Sequence, residues 1–135
     1  MTKADFRAMR EALGLTQLDV ADACGVRALT VKRWERPGFP EPPEDAVEWL
    51  EGMADLHDEM VGQMVDLALA STAEEVRITY FRDQAQYDAS GRDDGPFGFA
   101  NAVARDVAAE LAREGVDVTF AYPDDGAVSA PGSRY

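Results

Sequence analysis

Over the first third of the chain apolar residues recur at steps of three and four. They then break at a proline-rich stretch, resume in one long helical run, and finally switch to strict alternation. Phe6, Met9, Ala12 and Leu13 lie at helical spacing and predict a first helix from about Lys3 to Leu13, closed by Gly14. Thr16 follows as an N-cap, with Asp19 three residues later as a shorter capping-box partner than glutamate. A second helix then turns Leu18, Val20, Ala21 and Cys24 inward, and Gly25 supplies the positive φ of a tight turn. The third helix is predicted from about Arg27 to Arg36. Its inward positions are Val26, Thr30, Val31 and Trp34; its outward ones are Arg27, Ala28, Leu29, Lys32 and Arg33. Pro37 stops it.

Residues 37–43, Pro-Gly-Phe-Pro-Glu-Pro-Pro, form a stiff extended connector, because each proline fixes φ and biases its predecessor away from helix. From Glu44 to about Ala70 the helical pattern resumes, with Val47, Leu50, Ala54, His57, Val61, Met64 and Ala68 on one stripe. Trp49, Met53, Leu56, Met60 and Leu67 make a second stripe beside it. Such a helix spans roughly 40 Å. Gly52 and Gly62 each weaken it by ~1 kcal/mol, so one break or kink is expected. After Ser71 the period becomes two: Val76 to Phe81 and Val116 to Tyr122 read as half-buried strands. Between them lie a short polar segment, a glycine-rich loop from Ser90 to Gly98, and a helix from about Phe97 to Arg113. On that helix Ala100, Val103, Ala104, Val107, Ala108 and Leu111 share a side, and Gly115 ends it. Strand, loop, helix and strand predict a small α+β unit. Two strands alone make a poor sheet, so pairing with a second copy is expected. The tail after Pro123 is expected to be disordered.

Composition narrows the class. A chain of 135 residues with 46% apolar content buries one good core or two small ones in series. Cys24 is its single cysteine, which excludes an internal disulfide and fits a reducing compartment. The opening Met-Thr-Lys-Ala-Asp-Phe-Arg has no signal-peptide core, and no apolar run reaches membrane-spanning length. The expectation is a soluble cytoplasmic protein without a membrane partner. The net charge of −13 opposes nucleic-acid binding only until its distribution is read. Residues 1–36 hold seven basic and five acidic side chains, whereas the remainder holds six and twenty-one. The acid is segregated from the first three helices. It suppresses non-specific attraction to phosphate and leaves the N-terminal segment weakly basic.

The twenty residues from Thr16 to Glu35 therefore carry the functional argument. Two short helices around a Gly-Val turn, the second with basic and small residues outside, are what places a helix in the DNA major groove. Leu15-Thr-Gln-Leu-Asp-Val-Ala-Asp-Ala-Cys-Gly-Val26 and Val31-Lys-Arg-Trp-Glu35 resemble the phage-repressor (Cro/XRE-type) helix-turn-helix family over roughly residues 3–36. The layout of Trp34-Glu35, proline linker, Glu44-Asp45-Ala-Val, long helix and Ile78-Thr-Tyr-Phe81 also looks like the anti-CRISPR-associated repressors and YdiL-like regulators. The resemblance implies base reading by Arg27, Ala28, Leu29, Lys32 and Arg33, and phosphate contacts by Thr16, Gln17 and Arg36. Arg33 is best suited to a guanine, because its planar fork matches O6 and N7. Ala28 and Leu29 offer only apolar contact to a thymine methyl. The resemblance also implies a structural ion pair between Arg10 and Glu35.

The remaining chemistry is bland. Cys24 reads as a small buried apolar residue, and His57, on an apolar stripe, as a packed side chain. One cysteine and one histidine do not make an ordinary zinc site. The acidic runs lack EF-hand spacing, and residues 91–98 lack the Gly-Lys-Ser/Thr of a P-loop. No enzyme, metal or cofactor is predicted. The expected fold is mainly α with a small α+β C-terminal part. Residues 1–70 form a helix-turn-helix DNA-binding domain including the long helix, and residues 71–135 a strand-helix-strand dimerisation domain. The function expected is that of a homodimeric (auto)repressor on double-stranded palindromic operator DNA. Two rivals remain open at this level: an antitoxin whose acidic half covers a basic toxin, and a protein-docking scaffold that does not bind DNA.

Overall fold

The computed structural model describes residues 1–72 and 74–125; the expected disorder of the tail falls, from residue 126 onward, outside the described residues. The fold is mainly helical, with one small sheet, and divides into two compact units, Met1–Met60 and Val61–Tyr135. Among the described residues no helix is long and apolar enough to cross a membrane.

The first unit holds α1 (Lys3–Ala12), α2 (Gln17–Cys24), α3 (Ala28–Trp34) and the first part of α4 (Glu44–Ala70). Local chemistry sets the helix starts. Thr2 and Thr16 are N-caps whose hydroxyls accept from the Asp5 and Asp19 amides, and both aspartates return a bond to the cap N–H. Asp19, despite its short side chain, closes a full capping box at 2.8 Å and 3.0 Å. Gly25 ends α2 at φ 69°, a left-handed conformation that side chains other than glycine rarely adopt. Phe6, Leu13, Leu15, Val20, Ala21, Val31, Trp34, Ala46 and Leu50 are buried, and Phe6 meets Trp34 edge-on at 6.1 Å.

Three expectations need correction here. Leu18 is 57% exposed instead of partly buried; it lies about 200° around the helix from the buried Val20. The third helix is shorter than read, since Arg27 is extended and serves as the N-cap while Glu35 closes the other end. Finally, α4 runs 27 residues without the expected break. Gly52 and Gly62 sit at exposed positions with open space around them, so they cost helix propensity and create no packing fault. Along α4, Leu50, His57 and Val61 are buried as the first stripe requires, but Leu56 and Leu67 of the second stripe are 43% and 74% exposed.

The second unit holds β1 (Glu75–Thr79), α5 (Gln84–Ala89), α6 (Phe97–Arg113) and β2 (Asp117–Ala121). The strands pair in parallel, from Glu75 opposite Asp117 to Thr79 opposite Ala121. Parallel pairing requires a crossover, which α5 and α6 supply. The α5 helix replaces the expected polar segment; Asp83 caps it by accepting from the Gln86 amide. Ile78, Phe81, Tyr87, Phe99, Val103, Val107 and Leu111 form the core, and Phe81 meets Tyr87 edge-on at 4.8 Å. On α6 burial extends beyond the expected stripe to Asn101 and Ala102. The Asn101 amide replaces a missing strand: its Oδ1 accepts from the Phe81 N–H at 2.9 Å, and its Nδ2 donates to the Phe81 carbonyl at 2.8 Å.

Asn101→Ala orphans both groups of a buried backbone residue. It is expected to destabilise the second unit by about 2–4 kcal/mol, read as a lowered urea midpoint by circular dichroism with unchanged slope. An unshifted midpoint would show that the bracket is dispensable.

Candidate nucleic-acid interface

The C-terminal end of α3 is held by two sets of contacts. At its C-terminal end Glu35 reaches back to α1. Its carboxylate accepts from Arg10 Nε at 2.7 Å and from Nη2 at 2.8 Å, a two-pronged pair with both side chains largely buried. The third prong, Nη1, donates to the Leu15 carbonyl at 3.0 Å in the α1–α2 connection. Gln17 Nε2, from the first turn of α2, donates to the same carboxylate at 3.2 Å. One acidic side chain thus gathers α1, α2 and α3. The neighbouring Glu35 holds the Arg10 guanidinium above its ordinary pKa, through hydrogen bonding that outweighs burial.

Lys3 completes the clamp. Its Nζ donates to the Trp34 carbonyl at 2.8 Å, to the Arg33 carbonyl at 3.4 Å and to the Pro40 carbonyl at 2.9 Å. It caps the carbonyl end of α3, where a cation is favoured by the helix dipole, and ties the proline connector to that end.

On the helix held in this way the outward positions are laid out as follows. Arg27, Leu29, Lys32 and Arg33 are exposed, whereas Ala28 is half-buried. Arg27, Lys32 and Arg36 meet no carboxylate among the described residues, so their charges are available to a ligand. Arg33 lies over the Phe39 ring at 5.4 Å. Thr16 is exposed, and its hydroxyl oxygen accepts from the Asp19 amide. One N–H of the Gln17 side chain donates to Glu35. The start of α2 thus keeps the Thr16 O–H, the second Gln17 side-chain N–H and the backbone N–H groups of Gln17 and Leu18 as donors. Leu18, beside it, is exposed.

Lys3 and Phe39 were not singled out from sequence. A lysine thirty residues from the carbonyls it caps leaves no local signal. Phe39 had one: an aromatic residue inside a proline-rich connector has no core of its own to enter. Away from this face, Cys24 is half-buried, and burial with the nearby Asp45 carboxylate pushes its thiol up from the usual range. His57 is buried, with Nδ1 at 2.9 Å from Asp58 Oδ1.

Residues 6–36 match the helix-turn-helix family. No curated protein matched the chain. The matching family is the Cro/C1 type of helix-turn-helix, a family of DNA-binding regulatory domains. The matched segment begins at Phe6 and ends at Arg36, one residue beyond Glu35.

Two outcomes follow from the geometry. Glu35→Ala, which leaves Arg10 buried without its anion, is expected to cost about 3–5 kcal/mol, whereas Arg10→Met with Glu35→Leu together costs far less. Urea unfolding followed by tryptophan fluorescence checks this, since Trp34 and Trp49 both lie in the first unit; equal losses in the single and double variants would contradict it. Cys24 is expected to alkylate more slowly in the native protein than in denaturant at about pH 8, because less of it is thiolate. Equal rates would show an unperturbed thiol.

Proposed function

From a Cro/C1-type helix-turn-helix at residues 6–36, we propose that the protein is a homodimeric, sequence-specific transcriptional repressor acting on an inverted-repeat operator. The observation that carries this reading is the outward face of α3. Four exposed residues, three of them cationic, stand on a short helix and its N-cap, and the C-terminal end of that helix is fixed by a buried ion pair and a lysine cap. A helix held so rigidly presents its side chains to base edges without paying to order the backbone first.

The roles divide by chemistry. Arg33 reads guanine through its fork, and Lys32 either shares that reading or holds phosphate. Leu29, 43% exposed, packs against a thymine methyl. Arg27 stands at the N-cap of α3, within reach of base edges or backbone, while half-buried Ala28 contributes shape more than contact. Arg36 and the free amides of Gln17 and Leu18 take backbone phosphate, which sets register without carrying sequence.

A dimer is supported from two directions. The N-terminal 36 residues carry only two more basic than acidic side chains, and the remainder is strongly acidic. A single weakly cationic head binds phosphate poorly, whereas two linked heads gain from effective concentration. In the second unit a two-stranded parallel sheet stands with Phe120 44% and Tyr122 42% exposed, and Leu67 of α4 is 74% exposed. These exposed apolar side chains are surface that a second copy would cover. The acidic surface also suits the alternative of a basic toxin as partner, but nothing in the fold singles out a docking site for one.

Lys32→Ala with Arg33→Ala is expected to remove discrimination between operator and random DNA, at about 1–3 kcal/mol for the guanine contact alone. Dimerisation, followed by light scattering, stays unchanged. Specific binding that survives the double change would refute the site, and a monomer at micromolar concentration would refute the two-headed operator geometry.

A further inference from the structure

The contact between Arg33 and Phe39 has no role in the core. Phe39 is 42% exposed and lies in the connector, outside every helix. Its position is nonetheless determined. Pro37 and Pro40 fix φ on either side, Gly38 turns the chain at φ 88°, and Lys3 Nζ binds the Pro40 carbonyl at 2.9 Å while capping α3. These constraints set the ring beside the last turn of α3, where the Arg33 guanidinium carbon lies 5.4 Å from its centroid. Arg33 has no carboxylate partner among the described residues, and its guanidinium lies over the Phe39 ring instead.

A cation over an aromatic face is attracted to the π-electrons and keeps the N–H donors at its edge for other partners. That differs from a salt bridge, which would consume the same donors. The contact favours one set of Arg33 rotamers and leaves the fork's donors open. We infer that Phe39 is a positioning residue for base readout: the connector holds Arg33 in its reading conformation, so that part of the specificity is encoded outside the helix-turn-helix. This rests on the DNA-binding reading above, and on Arg33 as a base contact within it.

The test uses the full chain and the operator it enriches from random duplexes, with each half-site position then substituted in turn. Phe39→Leu keeps apolar bulk but removes the π face. It is expected to weaken operator binding by about threefold to tenfold, and to flatten preference at the same base position that Arg33→Ala flattens. Phe39→Tyr, which retains the ring, keeps both affinity and preference. In an Arg33→Ala background Phe39→Leu has no further effect, and its melting temperature matches the parent. The inference is overturned if Phe39→Leu leaves binding unchanged, tightens it (the ring then restrains Arg33 away from DNA), or weakens all sequences equally. A wild-type chain that enriches no sequence overturns the DNA-binding reading itself, and this inference with it.

Discussion

The N-terminal unit depends on one buried carboxylate. Glu35 stands at the end of α3 and is the common acceptor for Arg10 of α1 and Gln17 of α2, while Arg10 also binds the Leu15 carbonyl between them. Burying such a pair costs several kcal/mol per ion in desolvation, and the attraction roughly repays it. Its contribution is therefore geometric more than energetic. Apolar contacts such as Phe6 against Trp34 drive the helices together and tolerate sliding. A two-pronged guanidinium–carboxylate pair does not tolerate it, because both bonds are lost on a small displacement. The angle at which α3 is offered to a ligand follows from that restriction.

Everything placed on α3 inherits this fixed frame. Lys3 adds a second restraint on the same helix end and extends it to the connector, so the proline-rich segment is part of the head and not a loose tether. The electrostatics are spare. With near-neutral charge on the first 36 residues and a large acidic excess in the rest, affinity cannot come from bulk attraction to phosphate. On the proposed reading it comes from geometry and from a second head, so that rigid positioning and the proposed dimerisation answer the same shortage of positive charge.

What was legible in the sequence was mostly local. The Thr16 cap, Gly25, the proline connector and the helical period of residues 97–113 each act over a few residues and appear where their chemistry requires. The Cro/C1-type segment was legible for the same reason, its cap, turn and apolar spacing being one short signature. Long-range features were not. Asn101 bracketing Phe81 twenty residues away, Lys3 capping α3 and Phe39 under Arg33 leave no periodic trace. The α5 helix was missed because six residues, Gln-Ala-Gln-Tyr-Asp-Ala, carry one apolar anchor, Tyr87, and so no period. Leu18 was misassigned because α2 is too short for its apolar residues to define one face. Arg10 and Glu35 are linked in sequence only through the family resemblance; the three-helix network around them belongs to the structure.

The most direct measurement is a selection of bound duplexes from random DNA by the full chain. The account predicts enrichment of an inverted repeat whose half-site centres lie about one helical turn, ~34 Å, apart, with a guanine preference in each half-site. Enrichment of single unpaired half-sites, or of no sequence at all, would contradict it.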